Sequence, residues 1–158
     1  MQLSYEQYCS RNWSRTNEVL TDRIAARRKM HDFYVALFKD IEEVYVFTKP
    51  SADFYSNHWL SAIIVDANKT GKTREDLRLA LLEHNIESRP LCKPMHLQPI
   101  FANAPYYGTN VSEKLFDDGL CMPSGSNLTV EERQRIVLKI KEVISKIIKT
   151  ERIISVRF

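Results

Sequence analysis

Three side chains that can bind anions lie within one proline-rich segment, residues 86–99. Arg89, Lys93 and His96 alternate there with three prolines. Prolines lower the conformational freedom that a loop loses on binding, so such side chains can be held in place before a ligand arrives. A guanidinium grips a carboxylate or phosphate with two hydrogen bonds, an ammonium adds a point charge, and an imidazole changes charge near neutral pH. The segment therefore predicts an anion-binding loop, and the alternative is a stiff crossover whose charges face water.

Other chemical signatures are incomplete. The run N-K-T-G-K-T at residues 68–73 resembles the end of a phosphate-binding loop, but Asp66 stands where that motif needs its first glycine. Because an aspartate repels a triphosphate, we predict a tight turn before a capped helix instead. The four histidines lack metal-ligand spacing, and the three cysteines are far apart. We therefore predict no metal site and no catalytic residue.

Length and composition indicate one ordinary globular domain. The chain has 158 residues, of which 44% are apolar and 27% are charged, as in typical domains of this size. The formal net charge of +3 is too small to indicate a nucleic-acid or membrane partner. No apolar run reaches the ~18 residues that a membrane helix needs. The polar start of the chain has no leader-like apolar core, so we expect a cytoplasmic protein.

A long helix is predicted from about residue 14 to Phe38, after an irregular lead-in over residues 1–14. Apolar side chains recur in it at helical spacing. Its basic face consists of Arg23, Arg27, Arg28 and Lys29. We predict that this face is solvated.

The rest of the chain predicts a small sheet and three further helices. Four β-prone runs predict strands at residues 44–48, 59–65, 86–91 and 120–122. Helix starts are predicted by the capping boxes Thr73–Asp76 and Thr129–Glu132, and by Asn110 with Glu113. The order of elements predicts an α+β fold of two layers, a small and mostly antiparallel sheet with helices on one face.

Four blocks of the sequence resemble one enzyme family. They are I-E-S-R-P-L-C-K-P-M-H-L-Q-P at 86–99, V-L-T-D-R-I-A-A-R-R at 19–28, S-N-H-W-L at 56–60 and L-C-M-P-S-G-S-N-L-T-V-E-E-R at 120–133. In this order they are similar to blocks of the pyridoxal-phosphate-dependent nucleotide-sugar aminotransferases of the DegT/DnrJ type. The resemblance covers about residues 15–148. It departs from the family pattern at Cys92, where tryptophan is frequent, and at Asn17, where glutamine is frequent. A missing ring at residue 92 would weaken stacking against a sugar or base.

The resemblance implies a place in a longer enzyme. It identifies residues 15–150 with the C-terminal small domain of a fold-type I aminotransferase, followed by a tail at residues 151–158. In that family the cofactor is linked to a lysine of the large N-terminal domain, and no lysine of this chain matches it. The resemblance thus implies that pyridoxal phosphate is the cofactor of the full-length family. It also implies that this chain alone does not bind the cofactor and is inactive. The expected partner is a large-domain chain or a second copy.

The resemblance also implies site residues. The family transfers an amino group, typically from glutamate, to a nucleotide-linked keto-sugar for surface-polysaccharide synthesis. The loop beside the substrate is matched here by Arg89, Lys93, Met95 and His96, which would bind substrate without being catalytic. No residue is assigned to the cofactor.

A packing contact and an alternative function are also expected, and RNA binding is not. Asn57 and Trp59 match a family block that we expect to pack against the substrate loop. The alternative function is a stand-alone binding or regulatory module for an anionic metabolite. RNA binding is disfavoured, since no strand interleaves aromatic and basic residues as a stacking platform requires.

Overall fold

A computed structural model describes the backbone of residues 5–154 and the side chains of residues 17–144. Its helices are α1 Tyr5–Phe38, α2 Ala67–Thr70, α3 Arg74–Leu82, α4 Val111–Asp118 and α5 Val130–Ile154. Its strands are β1 Val44–Val46, β2 Ser61–Val65, β3 Arg89–Pro90 and β4 Gly119–Met122. Two 3-10 turns, Met95–Leu97 and Pro99–Phe101, lie between β3 and α4.

The four strands form one antiparallel sheet in the order β1-β2-β4-β3. The central pairing sets Ile63 of β2 opposite Leu120 of β4. Side chains along β2 alternate between buried and half-buried, as the two-residue period of a strand requires. One face of the sheet is therefore the core face, and the predicted α+β fold is confirmed.

Three helices cover the core face. Buried side chains come from α1 (Met30, Tyr34, Phe38), from α3 (Leu77, Leu81) and from α5 (Ile136, Ile140, Val143, Ile144). Tyr34 is fully buried and donates a hydrogen bond of 2.7 Å from its hydroxyl to the carbonyl of Pro123. Burial of the side chain raises the pKa of Tyr34, so this hydroxyl stays a neutral donor.

Several element boundaries differ from the sequence-based expectation. Helix α1 begins at Tyr5, so residues 5–14, expected to be irregular, are helical. Neither proline nor glycine interrupts this stretch. Helix α5 likewise runs to Ile154 and includes the first half of the expected tail. Residues 1–4 and 155–158 lie outside the described part.

Strand β3 is shorter than predicted, since only Arg89–Pro90 of the run 86–91 pairs with β4. Pro90 has no N–H to donate, so the strand stays at the sheet edge and ends there. The capping boxes are confirmed at Thr73–Asp76 and at Thr129–Glu132.

The run N-K-T-G-K-T at residues 68–73 forms a turn before the capped helix α3, as predicted, and its first residues belong to the short helix α2. Asp66 caps α2 by accepting a hydrogen bond of 3.1 Å from the N–H of Asn68. Gly71 ends α2 in the left-handed conformation, with φ 62°, which glycine adopts without strain. Within residues 5–154, no helix is both long enough and apolar enough to cross a membrane.

Gly119 starts β4 at a point where the chain is crowded. A Cβ atom there would lie 2.1 Å from Cδ1 of Leu91 and 2.3 Å from the carbonyl oxygen of Leu115. The first contact can relax by a side-chain movement, but the second is with backbone. Only a residue without Cβ allows α4 to turn directly into the strand.

We expect Gly119→Ala to destabilise the fold by about 1–3 kcal/mol or more, because overpacking against backbone forces main-chain shifts. Urea unfolding followed by circular dichroism measures this change. Gly125→Ala is the control, since its Cβ would meet chiefly the side-chain oxygen of Asn127, which can rotate away. Equal stabilities of the two variants would contradict the packing at Gly119.

Candidate functional site

The substrate loop predicted from the sequence joins β3 to α4. Lys93 and Met95 are exposed, and Met95 lies in the first 3-10 turn. The side-chain amide of Gln98 donates to the Lys93 carbonyl at 3.5 Å and lies 3.7 Å from Sδ of Met95. These contacts brace the loop from within, so its exposed side chains project from an ordered turn.

His96 attaches the loop to α4. Its Nε2 lies 2.9 Å from Oε1 of Glu113, and its ring stacks on Tyr106 with 3.9 Å between the ring centroids. The hydroxyl of Tyr106 donates in turn to the carbonyl of Thr109 at 2.7 Å. The His96 side chain is only 19% exposed. In this structure the imidazole therefore positions the loop, with one ring nitrogen already engaged.

The role expected of Glu113 in capping α4 is wrong. Asn110 precedes α4, but no side-chain hydrogen bond caps this helix start. The Glu113 carboxylate bonds to His96 instead, because the loop brings the imidazole within reach. This contact ties the substrate loop to α4.

Arg89 is separated in role from the other three predicted residues. It lies on edge strand β3, where its guanidinium forms an ion pair with Glu87 at 2.6 Å while 77% of its side chain stays exposed. Arg89 lines a cleft that Lys93, Met95 and His96 do not line. The four residues therefore fall into two groups, one at the cleft and one on the loop.

The cleft lies at the end of the sheet where β4 ends and β2 and β3 begin, with a volume of about 640 Å³. It is lined by Arg27, Leu60, Asn85, Ile86, Glu87, Ser88, Arg89, Cys121, Met122, Pro123, Gly125, Leu128, Glu132, Arg135 and Ile136. Burial raises the pKa of the Cys121 thiol, and nearby Cys92 raises it further. Cys121 is therefore a neutral thiol and not an activated nucleophile at neutral pH.

The basic face of α1 is solvated only in part: Arg23 and Lys29 are exposed, as predicted, but Arg27 and Arg28 are engaged by the chain. Arg27 donates to the carbonyl of Trp59, and Arg28 donates to the carbonyl of Ser56 at 3.2 Å. The Arg28 guanidinium also lies 4.5 Å from the centre of the Tyr55 ring, a cation–π arrangement. Both arginines are half-buried. They fasten the segment between β1 and β2 onto α1.

Asn57 and Trp59 do not have the role expected of them. Both side chains are exposed, Trp59 by 67%, and Asn57 accepts a hydrogen bond from the Trp59 N–H at 3.2 Å. The segment is tied to α1 through its carbonyl groups rather than packed on the substrate loop. These positioning contacts were missed because the paired arginines of α1 give no local signal of a partner 28 to 32 residues away.

Two histidines stack where this segment meets α1. The rings of His31 and His58 lie 3.7 Å apart with an interplanar angle of 24°. His31 is buried, and its Nε2 lies 3.3 Å from the carbonyl of Phe47. Burial lowers the pKa of His58 from 6.5, and the nearby His31 and Arg28 lower it further. His58 therefore sits in the stack as a neutral ring near neutral pH.

The lysines among residues 17–144 offer no buried amine. They are exposed, except for half-buried Lys139, which pairs with Glu142 at 3.0 Å, and exposed Lys29 and Lys39 line two smaller pockets. No lysine lines the large cleft. The same residues bring together no group of three side chains that could hold a metal ion.

Comparisons with known proteins identify the family of this chain. Residues 18–141 match the DegT/DnrJ/EryC1/StrS aminotransferase family. EpsN of Bacillus subtilis strain 168, whose name describes it as a pyridoxal phosphate-dependent aminotransferase, is 37% identical over 124 residues, which are 76% of this chain and 31% of EpsN. GDP-perosamine synthase of Escherichia coli O157:H7 is 30% identical over 81% of this chain and 33% of its own length.

A solved structure shows the same fold. DesI, whose structure was determined in the presence of its TDP-sugar product, superposes with a TM-score of 0.73 at 18% identity, over 87% of this chain and 35% of DesI. The chain belongs to the DegT/DnrJ/EryC1/StrS aminotransferase family, which is pyridoxal-phosphate-dependent. It spans about a third of the length of the curated relatives that it matches.

The bond between Glu113 and His96 should control the order of the substrate loop. We expect Glu113→Ala to speed amide hydrogen exchange over residues 95–106 by about tenfold, since a lost charge-assisted bond is worth ~1.5 kcal/mol of local opening. Glu113→Gln, which keeps an acceptor oxygen, should show a smaller change. Exchange rates in the loop that are equal in both variants and the parent would contradict this role.

The histidine stack should make stability depend on pH. The pKa of His58 is lower in the folded chain than its usual 6.5, so the unfolded chain binds the proton more readily. Stability should therefore fall as the pH drops from ~7.5 to ~5. His58→Asn removes the titrating imidazole, and asparagine tolerates the local φ of 46°. The free energy of unfolding of this variant, measured with urea at each pH, should therefore fall less over the same pH range. His84→Asn is the control, and an equal slope in all three proteins would refute the link.

Proposed function

We propose that the chain is the C-terminal, substrate-side domain of a pyridoxal-phosphate-dependent aminotransferase that acts on nucleotide-linked keto-sugars, with glutamate as amino donor. One observation carries the proposal: the family match fills residues 18–141 but spans only about a third of the relatives' length. The names of GDP-perosamine synthase and of DesI with its TDP-sugar product support nucleotide sugars as the substrate class.

The substrate loop supplies the contacts. Lys93, exposed on a braced turn, would attract the charged nucleotide part of the substrate. Met95, 60% exposed beside it, offers a polarisable apolar surface for a sugar or base. His96 would position this turn through Glu113 and leave its other ring nitrogen for a hydroxyl or phosphate oxygen. Arg89 would hold a carboxylate or phosphate at the sheet edge.

The cofactor lysine would come from another part of the enzyme. The described lysines are exposed or ion-paired, so the chain alone would bind no pyridoxal phosphate and would not turn over substrate. Large apolar side chains remain exposed, among them Tyr55 by 75%, Ile100 by 82% and Tyr107 by 91%. Exposed apolar side chains of this size favour a covering partner, either a large-domain chain or a second copy.

A second function is favoured by the completeness of the loop. Its turns and the His96–Glu113 bond form without any other domain. The chain would then be a stand-alone binding or regulatory module for an anionic metabolite.

We also propose a cytoplasmic location, supported by the free thiols of Cys92 and Cys121, which persist in a reducing compartment.

Calorimetry with a nucleotide sugar tests the substrate loop. We expect weak binding by the 158-residue chain, and a loss of about tenfold in affinity for Lys93→Ala, since one charged contact is worth ~1.5 kcal/mol. Lys114→Ala, which removes an exposed lysine from α4, is the matched control. No heat with any nucleotide sugar, or an equal loss in both variants, would reject the loop as the substrate site.

Cofactor binding tests whether the chain alone is inactive, and metabolite binding separates the two functions. Mixed with pyridoxal phosphate and then desalted, the chain should retain no cofactor absorbance, and it should catalyse no amino transfer from glutamate. A retained cofactor linked to one of its lysines would overturn the proposal. Binding of an anionic metabolite other than a nucleotide sugar, lost on Lys93→Ala, would favour the stand-alone module.

A further inference from the structure

The cleft at the sheet end holds charges that the substrate loop does not use. Arg27 reaches it from α1, Arg135 from the first turns of α5, and Arg89 from β3. Its walls include the apolar side chains of Ile86 and Met122. A volume of about 640 Å³ lies within the range of ~300–1,000 Å³ found for small-molecule sites. The cleft is therefore large enough for a small ligand.

Two of the three guanidinium groups are positioned without being neutralised. Arg27 donates to the carbonyl of Trp59, and Arg135 donates to the carbonyl of His84. Among the side chains of residues 17–144, no carboxylate lies within ion-pair distance of either arginine. Arg89, by contrast, is paired with Glu87. A carbonyl oxygen fixes the direction of a guanidinium but leaves its full charge available to a ligand.

The acidic residues of the cleft are already engaged. Glu87 pairs with Arg89, and the Glu132 carboxylate accepts a hydrogen bond of 2.8 Å from the Thr129 N–H in the capping box of α5. The hydroxyl of Ser88, which also lines the cleft, is buried and has no hydrogen-bond partner among the described residues. A buried hydroxyl without a hydrogen-bond partner destabilises the folded chain. A ligand oxygen in the cleft would supply the missing partner.

We propose that this cleft is a binding site for a small dianion, in which Arg27 and Arg135 bind a phosphate group or a pair of carboxylates. Two charged, fixed guanidiniums match the two charges of such a ligand, because bidentate bonds to carboxylate and phosphate are the contacts that arginine makes best. The proposal uses none of Lys93, Met95 and His96. It is therefore tested separately from those three residues; Arg89, which also lines the cleft, is paired with Glu87 and is not part of the proposed dianion site.

The test is a titration of the full chain with inorganic pyrophosphate and, separately, with 2-oxoglutarate. It is followed by tryptophan fluorescence in a Trp13→Phe background, so that only Trp59, whose carbonyl binds Arg27, reports. We expect saturation by at least one probe, and a loss of about tenfold or more in its affinity for the double variant Arg27→Gln, Arg135→Gln. Stronger binding of pyrophosphate would identify a phosphate ligand, and stronger binding of 2-oxoglutarate a dicarboxylate.

Matched controls come from the neighbouring arginines. The double variant Arg28→Gln, Arg133→Gln removes the same charge, and both residues also donate to carbonyl groups, of Ser56 and Thr129, but neither lines the cleft. It should keep the parent affinity, and its circular dichroism should match that of the cleft variant. An equal loss in both double variants would show diffuse charge attraction and would overturn the proposal. Absence of saturation at about 10 mM of both probes would overturn it as well.

Discussion

The pairing of β4 with two neighbours at once constrains most of this molecule. Cys121 of β4 lies opposite both Ala62 of β2 and Arg89 of β3, so a four-residue strand joins the two halves of the sheet. The chain reaches β4 directly from α4, and Gly119 makes this junction possible by leaving room for Leu91 and the Leu115 carbonyl. Without that junction the loop that starts after β3 could not return to the sheet. Both candidate sites depend on the strand, since the substrate loop precedes it through α4 and the cleft opens at its end.

Helix α1 holds the segment that leads into β2 in place, at the cleft end of the sheet. Its arginines donate to carbonyl groups of the segment that leads into β2, and His31 stacks on His58 of the same segment. These contacts satisfy carbonyl groups that no strand pairs, which an irregular segment must do if it is to stay ordered. The same arrangement leaves Arg27 with an unneutralised charge at the cleft. The arginines of α1 thus hold the segment before β2 in place, and Arg27 also presents its charge to the proposed dianion site.

Hydrogen bonds between residues close together in the sequence could be predicted, and those between residues far apart could not. The capping boxes at Thr73 and Thr129 involve residues three positions apart, so the sequence alone shows both partners. The His96–Glu113 bond and the Arg27–Trp59 bond join residues far apart in the chain, and only the folded structure brings them together. The candidate anion-binding residues Arg89, Lys93 and His96 were predicted as a group by their spacing in one loop. Their division between loop and cleft follows from Pro90, which ends β3 after Arg89 and turns the later residues away from the sheet edge.

Under the proposed function, a lysine-bearing domain outside these 158 residues completes the enzyme. The most direct test is to read the DNA upstream of the Met1 codon in all frames, express any lysine-bearing large domain found there, and measure amino transfer from glutamate to a nucleotide-linked keto-sugar with the two chains mixed. The account predicts activity in the mixture, none for either chain alone, and a loss of activity for Lys93→Ala. Amino transfer by the 158-residue chain alone, or no activity from a correctly folded mixture, would contradict it.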